Sequence, residues 1–184
     1  MDGIQLMMEE HDNILTVLSA IRKHSVQVME GAALCTEDFR DMIHFARSYA
    51  DKHHHGKEEQ LLFNEMEARL GSAGEKLIRN GMLVEHDLGR LHIAELEKAL
   101  NQYEQDPSAE NRLAILAEAY GYAALLRRHI DKENRVVYPF AERGLEPQLL
   151  REIGQRVADF EDREQKARED GLALLEKFRN KYLS

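Results

Sequence analysis

One pattern of histidine and glutamate residues occurs twice in this chain, 75 positions apart. The tripeptide Glu-His-Asp at 10–12 returns at 85–87. The motif His-x-x-Lys-Glu at 54–58 returns at 129–133, and in both halves 43 residues separate the two histidines. A repeat of this length is large enough for a helical hairpin, so it predicts two copies of one supersecondary unit. Two sets of His and His-x-x-x-Glu indicate a two-metal site.

The composition favours helices over strands. The chain has 184 residues, only three prolines and no tryptophan, and it is rich in Leu, Ala, Glu, Lys and Arg. These are helix-forming residues, and the length suits a single domain with a proper core. We therefore predict an all-α protein.

Charge and apolar patterning argue against several functional classes. The formal net charge of −9, without a basic stripe, argues against a nucleic-acid partner. No apolar run approaches the ~18 residues of a membrane span, and the first twelve residues lack the features of a secretory signal. The single cysteine, Cys35, cannot form an intramolecular disulfide and fits a reducing compartment. We expect a cytoplasmic protein with no membrane partner.

Apolar residues spaced at three and four predict amphipathic helices separated by recognisable turns. Thr36 and Ser108 are expected to cap helices, and the glycine-rich segment 71–74 is expected to form a turn. The predicted helices cover about 4–28, 36–70, 75–105 and 109–142. This pattern predicts an antiparallel up-down-up-down four-helix bundle.

The predicted turns place four histidines at one level of that bundle. His11 and His54 are equidistant from the first turn, as His86 and His129 are from the third. His54 and His86 are likewise equidistant from the glycine-rich turn. Each helix therefore supplies one histidine at the same height, as a metal site in a bundle core requires.

The remaining chain predicts an additional C-terminal helix. We expect residues 1–145 to form the bundle from two pseudo-repeats, at about 1–70 and 75–145. Residues 146–184 carry no ligand motif, and the charged run 161–170 is expected to be a solvated helix face. The sequence leaves open whether this helix packs on the bundle or on a partner chain in a homodimer.

Six side chains are candidate metal ligands. Buried imidazoles and carboxylates are costly unless they are paired or metal-bound. We expect one pair of histidines on each ion, with a glutamate from each half between the ions. Imidazole and carboxylate suit iron, manganese or zinc, so the residues alone leave the metal open. The candidates are His11, His54, Glu58, His86, His129 and Glu133.

Three consecutive histidines make the register of the second helix ambiguous. The repeat and the apolar stripe select His54 with Glu58, while His55 with Glu59 is the alternative pairing. His53 and His55 are expected on the solvated surface of the helix, about 100° from His54 on either side.

Four further residues are expected near the site. Glu10 and Glu85 are candidate acceptors for imidazole N–H groups of a neighbouring helix, which metal-bound histidine usually needs. Tyr122 is either a core tyrosine or a hydrogen-bond donor near a bound ligand. Arg90 either stabilises an anionic ligand or extends to the surface.

The order His, His-x-x-x-Glu, His, His-x-x-x-Glu resembles the hemerythrin-like HHE cation-binding domain family over roughly residues 4–142. The resemblance implies two iron ions bridged by carboxylates and by an oxo or hydroxo group. Arg90 stands where oxygen-carrying hemerythrin has a further histidine, and Glu133 stands one position before its last carboxylate, an Asp. Both departures resemble the bacterial hemerythrin-like branch, which includes proteins of iron–sulfur repair and proteins that consume peroxide.

Three functions follow as hypotheses. The first is a di-iron protein that binds dioxygen, nitric oxide or iron for sensing, storage or iron-centre repair. The second is a di-iron enzyme that consumes peroxide or oxygen, with catalase- or peroxidase-like activity. The third is a metal-free helical interaction module, which leaves the duplicated histidines and glutamates without a role.

Overall fold

The computed structural model describes residues 2–184, and within that range it contains helices and no strand. The all-α prediction is confirmed. Four long helices form the bundle: α1 (Gly3–Met29), α2 (36–69), α3 (71–105) and α4 (109–144). Each bundle helix packs against the next helix along the chain, and α1 also packs against α4, so the four helices enclose a common core. None of the helices in the described range is long and apolar enough to cross a membrane.

Helices α2, α3 and α4 change locally from α to π winding. A π-turn has i→i+5 hydrogen bonds, so it winds more residues into each turn and rotates successive side chains by less than in an α-helix. Such turns are frequent at functional sites. The π segments are Ala46–His55 and Glu58–Phe63 in α2, Ile78–Met82 in α3, and Glu133–Val137 in α4. The α-helical segments are Thr36–Phe45, Asn64–Arg69, Gly71–Leu77, Leu83–Gln105, Ala109–Lys132 and Tyr138–Gly144.

The predicted boundaries agree with the structure except near two turns. The segment 71–74 is helical, and only Leu70 interrupts the helices around it. Gly71 permits this sharp reversal with a φ of 61°, and a Cβ on Gly74 would lie 2.6 Å from the Met66 carbonyl oxygen. The predicted Thr36 cap is also wrong, because the helix begins at Thr36 itself without a side-chain cap.

The predicted Ser108 cap is confirmed. Its side-chain oxygen accepts a hydrogen bond from the Asn111 backbone N–H at 3.3 Å. This bond satisfies one of the free N–H groups at the start of α4.

The C-terminal segment forms two helices that pack on the same chain. These are α5 (Pro147–Arg163) and α6, which is α-helical over Gln165–Phe178 and π-helical over Arg179–Leu183. Both contact α1, and α6 also contacts the first π segment of α2. The buried Asp38 of α2 anchors the end of α6 by accepting hydrogen bonds from Tyr182 and Lys181.

The expectation of a wholly solvated charged run at 161–170 is wrong at its first residue. Glu161 is buried, with 6% of its surface exposed. It occupies the inner face of α5, together with the apolar Val157 and Phe160. A buried carboxylate in that position needs a partner inside the bundle.

The apolar core has two parts on either side of a polar layer. One part lies towards the loop after α1 and includes Leu18, Phe39 and Leu126. The other lies towards Leu70 and includes Met7, Leu62 and Val137. The buried histidines and glutamates of the four helices, apart from His24, lie along the chain close to the boundary between these two parts. The apolar packing therefore holds the polar layer from above and below.

We expect Gly171→Ala to destabilise the protein, because α6 approaches α2 through this glycine. A Cβ at Gly171 would lie 2.8 Å from Cγ of the buried Tyr49, so the ring would have to move. The expected loss is about 1–3 kcal/mol in the free energy of unfolding, measured by urea denaturation. Gly81→Ala is the control, since no atom lies within 4 Å of its Cβ position. Equal stability of both variants would contradict this packing.

Candidate metal centre

The structure brings the six predicted ligand side chains into one buried cluster. Helix α1 supplies His11, and α3 supplies His86. Helix α2 supplies His54 and Glu58, four residues apart, and α4 supplies His129 and Glu133 in the same way. Each is at most 1% exposed. The two halves of the chain therefore contribute equivalent sets of donors to a common site.

The four histidines form two pairs through their Nε2 atoms. The Nε2 atoms of His11 and His54 are 2.8 Å apart. Those of His86 and His129 are 3.0 Å apart. This is the pairing predicted from the sequence, with one pair from each half of the chain.

Each of the two carboxylates reaches both histidine pairs. Glu133 Oε2 lies 3.2 Å from His11 Nε2, and Glu133 Oε1 lies 3.0 Å from His129 Nε2. Glu58 Oε2 lies 3.7 Å from His54 Nε2 and 3.6 Å from His86 Nε2. Both glutamates are thus placed between the two pairs, as bridging ligands would be.

The central carboxylates are incompletely satisfied by the protein, and a pair of cations would supply the missing partners. Within residues 2–184, three carboxylate oxygens are buried without a hydrogen bond of good geometry: Glu58 Oε2 and both oxygens of Glu133. Burial, and then the charge of Glu133, raise the pKa of Glu58 well above its ordinary value. Two buried carboxylates in contact are costly unless a cation lies between them. The donor set fits two metal ions of the iron, manganese or zinc type.

Two glutamates orient the site histidines as predicted. Glu10 Oε2 lies 2.8 Å from Nδ1 of His54, and Glu85 Oε2 lies 3.0 Å from Nδ1 of His129. In each case the acceptor comes from the neighbouring helix. An Nδ1–H that donates to a carboxylate leaves the Nε2 lone pair free for a metal.

Two equivalent acceptors were missed in the sequence. Asn134 Oδ1 lies 2.7 Å from Nδ1 of His11, and Glu59 Oε1 lies 2.7 Å from Nδ1 of His86. Glu59 directly follows Glu58, and Asn134 directly follows Glu133, so the two acceptors are 75 positions apart like the rest of the repeat. The repeat would have revealed them had it been extended by one residue. Glu59 therefore pairs with His86, so the structure does not form the alternative pairing of His55 with Glu59.

The expectation that His53 and His55 are solvated is wrong, because both side chains are buried. In the π-helical segment 46–55, the rotation between successive side chains is smaller than in an α-helix. All three consecutive histidines can therefore face the interior. The His55 ring stacks on His86 with 3.7 Å between centroids, and its Nδ1 lies 3.3 Å from Asp51 Oδ1. Burial and then the charge of His86 lower the pKa of His55, which favours the neutral imidazole.

His55 is a further candidate donor at the second histidine pair. One potential ligand atom from each of His55, Glu58, His86 and His129 lies within 4.8 Å of the others. The first pair has an equivalent group with His11, His54, Glu58 and Glu133. The two halves of the site therefore differ, since only the second has an additional histidine.

A tyrosine contacts the site, but it is not the tyrosine considered in the sequence. The Tyr138 hydroxyl donates a hydrogen bond to Glu58 Oε1 at 2.6 Å and lies 3.5 Å from His11 Nε2. Tyr138 aligns with Phe63 in the repeat, so this hydroxyl is present in one half only. Tyr122 lies instead beside the second pair, in the wall of a cavity.

A cavity of about 110 Å³ adjoins the second histidine pair. Arg90 lies at this cavity with an ion pair to Asp51 and another to Glu59, both with an N–O distance of 2.7 Å. Asp87 accepts a further bond at 2.9 Å, so the guanidinium is neutralised by carboxylates. The lining residues are Ala46, Arg47, Asp51, His55, His86, Gly89, Arg90, Ile93 and Tyr122.

The chain matches the family model described as "Hemerythrin HHE cation binding domain" over residues 2–141. No curated protein and no solved structure matches the chain. The matched region ends within α4, so α5 and α6 lie outside it.

We expect Glu58→Gln to stabilise the metal-free protein while weakening metal binding. The folded state holds a proton on Glu58 above pH 4.5 that the unfolded state releases, so this group lowers stability as the pH rises. The gain in unfolding free energy should be near zero below pH 4.5 and should grow above it, by at most about 1.4 kcal/mol per pH unit. Urea denaturation of chelator-treated protein on both sides of that pH measures it. The exposed Glu142→Gln is the control, and destabilisation by Glu58→Gln at pH 8 would contradict the expectation.

Proposed function

Since the chain belongs to the hemerythrin HHE cation-binding domain family, we propose that its bundle binds two iron ions and presents them to a small diatomic ligand. One observation carries the proposal. Two pairs of imidazole Nε2 atoms face each other across two buried carboxylates, each of which reaches both pairs. A metal-free interaction module would have no use for this arrangement, since burying it without cations is costly.

The residues of the chain have distinct roles in this proposal. His11 and His54 would hold one ion, His86 and His129 would hold the other, and Glu58 and Glu133 would be shared between them. The acceptors at the four Nδ1 atoms fix the orientation of the rings and keep the Nε2 lone pairs available. Bound iron supplies open coordination positions and a change of oxidation state.

The cavity beside His86 favours a small, neutral ligand. Its volume of about 110 Å³ is sufficient for a diatomic molecule. Ala46, Gly89, Ile93 and Tyr122 supply a largely apolar wall. We therefore propose that dioxygen or nitric oxide reaches the second ion from this side, for sensing or iron-centre repair.

Peroxide turnover is the second candidate function, and Tyr138 favours it. Its hydroxyl is the phenol in contact with both Glu58 and His11, where it can supply or receive a proton. Burial and the charges of Glu58 and Glu133 raise the pKa of Tyr138, which keeps the phenol protonated. A protonated hydroxyl beside the proposed ion positions can donate a hydrogen bond to an oxygen of peroxide.

We expect anaerobically purified protein to contain two iron ions per chain, by elemental analysis. His54→Leu and His129→Leu each remove an Nε2 donor, so each should reduce the content to one ion or fewer. His44→Leu is the control, because His44 is exposed and outside the cluster. A wild-type chain without metal, together with unchanged folding of both site variants, would contradict the proposal. Absorption spectra after adding dioxygen, nitric oxide or peroxide then separate a stable adduct from repeated turnover.

We expect Gly89→Val to slow ligand access without lowering the iron content. A Cβ at Gly89 lies 3.7 Å from Tyr122 Cε2, so a small side chain fits but occupies the cavity. The association rate of nitric oxide, measured by stopped-flow absorption, should fall, because the valine side chain occupies part of the cavity next to His86. Gly81→Val on the same helix is the control, since it faces open space. Equal rates in both variants would mean that the ligand takes another route.

A further inference from the structure

Each half of the bundle contains a lysine one position before the bridging glutamate. In the second half, Lys132 donates to Glu85, whose other oxygen holds Nδ1 of His129 at 3.0 Å. This connection lies at the surface, because the Lys132 side chain is 45% exposed and that of Glu85 is 19% exposed. Within the described residues, Glu85 is the acidic partner of Lys132.

The same connection is buried in the first half. Lys57 donates to Glu10, whose other oxygen lies 2.8 Å from Nδ1 of His54. The Lys57 side chain is 0% exposed and that of Glu10 is 4% exposed. A buried ammonium group has three hydrogens to place, so one carboxylate oxygen does not satisfy it.

Glu161 of α5 closes this buried network. Lys57 Nζ donates to Glu161 Oε1 as well as to Glu10. His53 Nε2 lies 3.0 Å from Glu161 Oε1, 3.1 Å from Glu10 Oε1 and 3.0 Å from Lys57 Nζ, so it belongs to the same network. The other oxygen of Glu161 lies 3.4 Å from Arg168 Nη1. The second half has no counterpart of Glu161, since α5 follows the repeat.

The position of Glu10 depends on this second carboxylate. Without Glu161, the charge of Lys57 would act on Glu10 alone, and one of its hydrogens would lose its acceptor. Glu10 would then be drawn towards Lys57 and away from Nδ1 of His54, because removing one partner of a buried ion pair leaves the other charge uncompensated.

We propose that Glu161 is a positioning residue of the metal centre: it holds Lys57, Lys57 holds Glu10, and Glu10 orients His54. The inference rests on the proposed two-ion site. It makes α5 part of the site, although α5 lies outside the matched family region. It also makes the two ion positions unequal, since one depends on a buried network and the other on a surface ion pair.

The test measures how fast the full-length, iron(II)-loaded protein releases each ion to a chromogenic chelator without oxygen. Glu161→Gln should release one of the two ions about tenfold faster and leave the other within about twofold, the effect of losing a partner of a metal-bound histidine. Glu152→Gln, an exposed glutamate on the same helix, is the matched control. Glu161→Asp keeps the charge and should restore most of the slow release. If Glu161→Gln does not fold, Glu161→Asp is compared with the wild type. It should then release the same single ion faster than the wild type, by a smaller factor.

A double variant distinguishes positioning from general loosening of the fold. If Glu161 acts through Glu10, then Glu161→Gln adds no acceleration once Glu10→Gln is present. Additive effects of the two changes would overturn the proposal. Equal acceleration of both ions, with a lower melting temperature of the metal-free protein, would also overturn it.

The outcome for the wild-type chain separates this inference from the proposed function. A wild-type protein with fewer than two iron ions overturns both. Two ions in the wild type, with unchanged release in a folded Glu161→Gln variant, overturn this inference alone.

Discussion

The burial of two carboxylates between four imidazoles is the constraint on which the rest of the structure depends. Glu58 and Glu133 lie at the centre of the bundle, where water cannot stabilise their charges. Apolar packing on both sides holds them there, and the four Nδ1 contacts orient the rings around them. The metal-free protein avoids repulsion between two charges here by holding a proton on Glu58, and metal binding has to release that proton.

The backbone adapts to this polar layer through its π segments. Two of them begin at the central glutamates, at Glu58 in α2 and at Glu133 in α4. A further π segment covers 46–55 and ends with the three histidines. Wider winding lets His53, His54 and His55 all face inward, towards three different sets of partners. One stretch of helix therefore contributes to the buried lysine network and to both histidine pairs.

The sequence predicted the helices and the six central side chains because both follow simple spacing. Apolar periodicity located the bundle, and the 75-residue repeat chose His54 among its neighbours. His55 was missed because a rotation of about 100° per residue was assumed, and that value holds for α-helices only. Tyr138 and Glu161 were missed because their roles depend on contacts between distant parts of the chain. A charged run such as 161–170 gives no sign of which glutamate will meet a buried lysine.

The reversal at Leu70 limits how the two halves of this chain can vary. A single non-helical residue joins α2 to α3, and Gly71 adopts the left-handed conformation there. An added residue would rotate α3 relative to α2 by about 100° and shift it by about 1.5 Å, turning His86 away from Glu58 and Glu59. Insertions should therefore be tolerated in the loop between α1 and α2 but not at this junction. The two halves of the bundle are therefore coupled in register. The position of one half along the bundle axis determines whether the histidines and glutamates of the other half lie at the same level.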